Sequence, residues 1–170
     1  DMSLVVPAVV FGAVGTAGQR CTSTRRLIVH ESIYEDLLGK LINAYKQVKI
    51  GDPLKEDTLM GPLVNQSAVK DFLAAIRKVK EQCGEIVFGG KDYIKNTNYV
   101  LPTIVKAENH WSIVQEETFA PILYVMTYKT LDEAIEMHNN VPQGLSSAMF
   151  TQNVKNSELF LSSIGSDCGI

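Results

Sequence analysis

Leu37, Leu38, Leu41, Ile42, Tyr45 and Val48 recur every third or fourth residue, the spacing that lines one face of a helix. Ser32 followed by Glu35 predicts a capping box at its start. Val69, Phe72, Leu73, Ile76 and Val79 form a second stripe of this kind, and Asn65 before it is a plausible N-cap. Leu131, Ala134, Ile135 and His138 set a third helical face, behind a Thr130–Glu133 box. Leu4, Val5, Ala8, Val9, Phe11 and Ala13 point in nearly every direction, which predicts a helix buried all round and stopped by Gly15 and Gly18. A weaker helix is expected through Leu159, Phe160 and Ile164.

The intervening segments read as extended chain. Leu27, Ile28 and Val29, within Arg25 to His30, form a continuous apolar run, as in a strand covered on both faces. Glu85 to Phe88, Pro121 to Tyr128 and Ser146 to Thr151 are further strands. Tyr99 to Val105 is extended too, but Pro102 has no N–H to give to a ladder and argues against a central strand there. Gly51, Asp52 and Pro53, and then Gly61 and Pro62, break the chain. Alternating helix and strand predict an α/β fold with a largely parallel sheet flanked by helices, and 170 residues suit one domain.

Charge and composition narrow the function. The net charge is −3 and the basic residues are scattered, so no stripe exists to follow a phosphate backbone and nucleic acid is excluded as a partner. The apolar stretch from Leu4 to Val14 is too short for a bilayer and is broken by Pro7 and Gly12, which leaves no membrane role. Three cysteines without metal-ligand spacing, Cys21, Cys83 and Cys168, indicate reduced thiols and no metal. Cys83, beside Gly84 at a helix end, reads as a small packed thiol. His30, His110 and His138 lie far apart, and each is expected to be structural, with no Cys–His dyad. Trp111 reads as a packing residue. No leader pattern is visible, and the expected compartment is the cytoplasm.

Chemistry concentrates in Gly15, Thr16, Ala17, Gly18, Gln19, Arg20, Cys21 and Thr22. Glycines ahead of a cysteine allow a sharp bend and close approach of a ligand to the main chain, as a nucleophile requires. The residues alone equally allow a packed core thiol.

The run Gly18, Gln19, Arg20, Cys21, Thr22 resembles the active-site cysteine motif of the aldehyde dehydrogenase superfamily, and Glu116, Glu117, Thr118, Phe119, Ala120, Pro121 resembles its second hallmark. Tyr99 to Ile104 and Asn140 to Thr151 follow in the family's order, so the resemblance spans essentially the whole chain. Thr118 to Val125 and Gly165 to Ile170 are most similar to the antiquitin branch, whose members oxidise α-aminoadipic semialdehyde. The resemblance implies NAD(P)-dependent oxidation of an aldehyde to a carboxylate, with NAD expected and NADP the alternative, through a Cys21 thiohemiacetal and thioester. It also implies that the Cys21 N–H helps hold the oxyanion, that Glu117 hydrogen-bonds the nicotinamide ribose, that Phe119 packs near the ring, and that the parent enzyme is a homo-oligomer working in cytosol or mitochondria. Apart from the resemblance, Glu116 and Glu117 would read as a solvated acidic pair.

Arg20 and Thr22 flank the nucleophile and are the candidate substrate contacts. Arg20 suits pairing with a substrate carboxylate, while its opposite facing in extended chain equally suits a structural ion pair. Asp1 and the ending Asp167, Cys168, Gly169, Ile170 suggest a catalytic segment of a longer protein, with the general-base glutamate, the dinucleotide-binding domain and the oligomerisation segment elsewhere. Cys21 is expected just past a helix C-terminus, where the dipole disfavours a thiolate, so the isolated chain is expected to be inactive. The competing readings are a cysteine-dependent hydrolase or acyl-transferring enzyme, and a non-catalytic structural fragment.

Overall fold

A computed structural model describes residues 1–170. Ten elements follow one another: α1 (Met2–Val14), β1 (Arg26–His30), α2 (Tyr34–Lys46), α3 (Gln66–Glu81), β2 (Glu85–Phe88), β3 (Thr103–Lys106), α4 (Ser112–Gln115), β4 (Ile122–Tyr128), α5 (Leu131–Asn139) and α6 (Val154–Leu161). The strands form one sheet in the order β1-β4-β3-β2. β1 and β3 both run parallel to β4, and β2 closes the sheet antiparallel to β3. The α/β fold with a largely parallel sheet is therefore present.

β4 is the spine of the core. Its residues Ile122, Leu123, Tyr124, Val125 and Met126 are all buried, as a strand with a neighbour on each side and cover on both faces must be. α2 contributes Leu37, Leu38, Leu41 and Tyr45, and α3 contributes Val69, Phe72, Ala75, Ile76 and Val79. Burial of each such large side chain stabilises the fold by about 1.5–3 kcal/mol. Most of each stripe is the one its periodicity marks out, but Ile42 and Leu73 are only half-buried, Val48 lies beyond the end of α2, and Ala75 joins the buried face of α3.

The predicted caps fared unevenly. The Asn65 side chain accepts the Ala68 N–H at 2.9 Å and starts α3. At α5, Thr130 Oγ1 accepts the Glu133 N–H at 3.3 Å, while the Glu133 carboxylate turns to the Lys129 N–H at 2.8 Å. The Ser32–Glu35 box does not form. A short 3-10 turn, Glu31–Ile33, precedes α2, and its start is capped by His30 Nδ1, which accepts the Ser32 N–H.

Several expectations are corrected. α1 is covered on one face only, by Val5, Val9 and Ala13, and leaves Leu4 and Phe11 exposed. β1 is an edge strand with Val29 alone fully buried, since it has β4 on one side and nothing on the other. β3 is a central strand despite Pro102, because the ladder begins one residue later at Thr103. Residues 146–151 take no regular structure and form no strand. α6 stops at Leu161, short of Ile164.

Cys83 is exposed and not packed. It occupies the left-handed position that ends α3, at φ 61°, with its N–H donating to Lys80 O at 3.1 Å and the Gly84 N–H donating to Val79 O at 2.8 Å. That pair of bonds is a Schellman ending in which cysteine takes the place glycine favours. Gly84 is needed for space instead, since a Cβ there would meet Val79 Cγ1 at 2.6 Å.

Candidate active site

β1 and β4 are parallel neighbours with Arg26 opposite Tyr124. The loops that lead into them, 15–25 and 116–121, must therefore meet at the same end of the sheet, although more than ninety residues separate Arg25 from Thr118. They meet backbone to backbone. A Cβ on Gly18 would lie 2.3 Å from Ala120 O and 2.7 Å from Pro121 N. Gly18 also has φ 68°, in the left-handed region that glycine alone enters freely.

The cysteine loop is bent tightly. Thr16 and Ala17 carry left-handed φ values of 56° and 55°, a conformation that costs a non-glycine residue roughly 1–2 kcal/mol. The surrounding bonds hold it there. Thr24 N–H donates to Gly12 O at 2.9 Å, and the Gln19 amide oxygen accepts the Val64 N–H at 2.8 Å. Cys21 and Thr22 sit exposed on the outside of this bend. The Cys21 sulfur has no hydrogen-bond partner, and neither the Cys21 nor the Thr22 N–H donates to another group of the chain.

Arg25 joins the two loops. Its guanidinium donates to Ser23 O and Arg20 O at 3.0 Å, and to Thr118 O at 3.4 Å. It pairs with the Glu117 carboxylate at 3.3 Å and stands over the Phe119 ring, 5.2 Å from its centre. Burial lowers the Arg25 pKa, and the negative charges of Glu117 and Cys21 oppose that shift.

The acidic pair is divided. Glu116 is held by Lys78 of α3 at 2.7 Å, whereas Glu117 turns to Arg25. Cys21, Thr22, Arg25 and Glu117 line one open cleft of about 710 Å3, which residues 144–150 line as well. Phe119 is 44 % exposed. Arg20 forms no ion pair; its guanidinium lies over the Phe11 ring at 5.7 Å, which removes the structural ion-pair reading.

A profile of the aldehyde dehydrogenase family matches residues 1–170. The chain belongs to the aldehyde dehydrogenase family. It is 52 % identical over 170 residues to aldehyde dehydrogenase family 7 member A1 of Pisum sativum, with all of this chain and 34 % of that protein covered. It is 49 % identical over 171 residues to the α-aminoadipic semialdehyde dehydrogenase of Bos taurus, covering all of the chain and 32 % of the relative. The chain thus spans about a third of the length of these relatives. Among solved structures, an aldehyde dehydrogenase from Bacillus cereus superposes with a TM-score of 0.93 at 27 % identity, over all of this chain and 35 % of that one. Betaine aldehyde dehydrogenase from Staphylococcus aureus in complex with NAD+ gives a TM-score of 0.90 at 28 % identity, covering 93 % of this chain and 32 % of that one.

The residues that the family resemblance singles out in the two loops are thus brought to one end of the sheet. Arg25 is the residue that sequence reasoning passed over as a site member. Its signal was its place, four residues after the cysteine at the mouth of a strand. A second omission concerns histidine. His138 Nε2 lies 3.5 Å from the Cys168 sulfur, so the expectation that no histidine has a thiol partner is corrected, though the thiol concerned is not Cys21.

Proposed function

We propose that this chain carries the nucleophile of an NAD-dependent aldehyde dehydrogenase that oxidises α-aminoadipic semialdehyde and works as a homo-oligomer in the cytoplasm. The observation that carries the reading is the junction at Arg25, where an exposed cysteine and an exposed glutamate from distant loops share one cation and one cleft. The kinship with the bovine semialdehyde dehydrogenase supports the substrate, and the NAD+ complex of the Staphylococcus aureus relative supports the cofactor. Three free thiols suit a reducing compartment.

The residues present fit a nicotinamide. Glu117 offers a carboxylate at the cleft for a ribose hydroxyl, and Phe119, braced on one side by Arg25, has an exposed ring to pack near the base. NAD held there would supply the acceptor for the hydride. The Cys21 thiolate adds to the aldehyde carbon, and the carbonyl π pair moves to oxygen. The uncommitted Cys21 N–H donates to that oxyanion. Collapse of the oxyanion expels the hydride and leaves a thioester on Cys21, which water splits into the carboxylate and the free thiol. Thr22, at the cleft wall, and Arg20, outside it and over Phe11, are the substrate contacts of the proposal.

The test is NADH formation by the protein that contains this chain, with α-aminoadipic semialdehyde, propanal and betaine aldehyde compared. The semialdehyde is expected to give the highest kcat/KM, and Cys21→Ala to abolish NADH formation while leaving NAD binding intact. Turnover that survives Cys21→Ala, or thioester hydrolysis without NAD, would overturn the assignment.

A further inference from the structure

The α5 C-terminus and the segment 165–168 come together at a cluster that the oxidation chemistry does not use. His138 Nε2, the Cys168 sulfur and an Asp167 carboxylate oxygen all lie within 4.8 Å of one another. Ser166 Oγ occupies the space between them, 2.8 Å from the ring nitrogen and 3.5 Å from the sulfur. We propose that His138, Asp167 and Cys168 form a binding site for a borderline-soft divalent cation, of which Zn2+ is the type.

The donor set is one nitrogen, one sulfur and one oxygen, the mixture that zinc takes in tetrahedral sites. Geometry agrees with chemistry. Zinc bonds of about 2.0–2.1 Å to imidazole and about 2.3 Å to thiolate, opened to the tetrahedral angle, put nitrogen and sulfur about 3.5 Å apart. His138 Nε2 and the Cys168 sulfur are 3.5 Å apart. The separation of those two ligands already suits the ion. The Asp167 carboxylate is on an exposed residue, so a side-chain rotation brings it to bonding distance. Ser166 Oγ then yields its place to the ion, and the fourth position is open to the cleft that His138 and Cys168 both line.

The surroundings of His138 favour its neutral form. Burial lowers the His138 pKa and Arg26 lowers it further, which leaves the imidazole neutral with a lone pair to give. Arg26 is itself anchored, donating to Asn109 Oδ1 at 2.9 Å and to the Met137 and His138 carbonyls at 2.8 Å. Burial lowers the Arg26 pKa, and Cys168 and Asp167 oppose that shift. Arg26 also repels a second cation, so the ion is held less tightly than at a closed four-ligand structural site. The two anionic ligands, Arg26 and a divalent ion together leave one net positive charge at the rim of the cleft. Binding releases the Cys168 thiol proton to solvent, and no bond changes oxidation state.

The experiment uses the purified protein kept reduced with a non-thiol reductant. Zn2+ is titrated in competition with a chromophoric chelator, and Co2+ is followed by absorbance. One equivalent of each is expected, Co2+ giving a thiolate-to-metal charge-transfer band. The band survives in the Cys21→Ser/Cys83→Ser double variant and disappears in Cys168→Ser, while His138→Gln weakens Zn2+ at least about tenfold. Circular dichroism checks that each variant folds. Where His138→Gln does not fold, Asp167→Asn on its exposed side chain decides, with weaker Zn2+ binding expected. Absence of the band in the unsubstituted protein, its persistence in Cys168→Ser, its loss in the double variant, or unchanged affinity in Asp167→Asn would overturn the site.

Discussion

The Arg25 guanidinium and the Glu117 carboxylate lie 3.3 Å apart, and the same guanidinium holds three main-chain carbonyls from the loops on either side. One side chain therefore sets both the position of the glutamate and the shape of the cysteine loop. Replacing Arg25 by Gln removes the partner of Glu117 and leaves these acceptors short of a donor. The expected outcome is a loss of about 1.5–3 kcal/mol in unfolding free energy, read from chemical denaturation. Lys at this position keeps the charge but not the fork, so it is expected to restore only part of that loss. An Arg25→Gln protein of unchanged stability would show that the two loops are held without the guanidinium.

Gly18→Ala puts a Cβ into the Ala120 carbonyl and forces alanine to φ 68°. Left-handed strain and overpacking together come to about 2–4 kcal/mol, with the denaturant midpoint falling accordingly. The NADH assay is expected to lose more than the stability change explains, because the two loops are pushed apart at the site.

Cys83 sits where a glycine belongs. Cys83→Gly is expected to raise stability by about 1 kcal/mol, through relief of the left-handed strain at the α3 ending. Urea unfolding measures it, and a destabilised variant would show that the thiol makes a contact worth more than the strain.

His138 has its pKa lowered from the ordinary 6.5 by burial first and Arg26 second. The unfolded chain therefore takes up a proton near pH 6.5 that the folded chain refuses until lower pH. Stability falls as pH drops below 6.5 and levels off once the folded imidazole is also protonated. Thermal midpoints across pH 5 to 8 are expected to show this slope, and His138→Gln to flatten it; an equal slope in the variant would assign it to other groups.

Leu41 is wholly buried between α2 and the sheet. Leu41→Ala is expected to lower the unfolding free energy by about 2–5 kcal/mol, read from chemical denaturation. A smaller loss would mean that the core closes around the gap.

Helices α2 and α3 were legible because a helical face buried against a sheet leaves its period in the sequence, and Asn65 announces itself by residue type. What a segment packs against leaves no such mark. The run around Leu27 to Val29 is as apolar as a central strand, yet β1 lies at an edge. Residues 146–151 have strand-like composition, yet their backbone pairing stops at the Ser147 N–H bond to Gly169 O. Pro102 was read as forbidding a ladder, although it only delays one. At the site, the cysteine and the glutamate were legible as motifs, but their meeting follows from the parallel pairing of β1 with β4, which no local pattern encodes. Arg25 and the His138–Cys168 contact are products of that same long-range arrangement.

The Gly18 contact with Ala120 and Pro121 is made by main chain on main chain, without the mediation of any side chain. Beside the Arg25 fork, a seam of that kind ties the two loops together without calling on the other side chains of the cleft wall. Under the proposed function, residues such as Thr22 or those at 144–150 could then be exchanged to suit a different aldehyde while the loops behind them stay aligned.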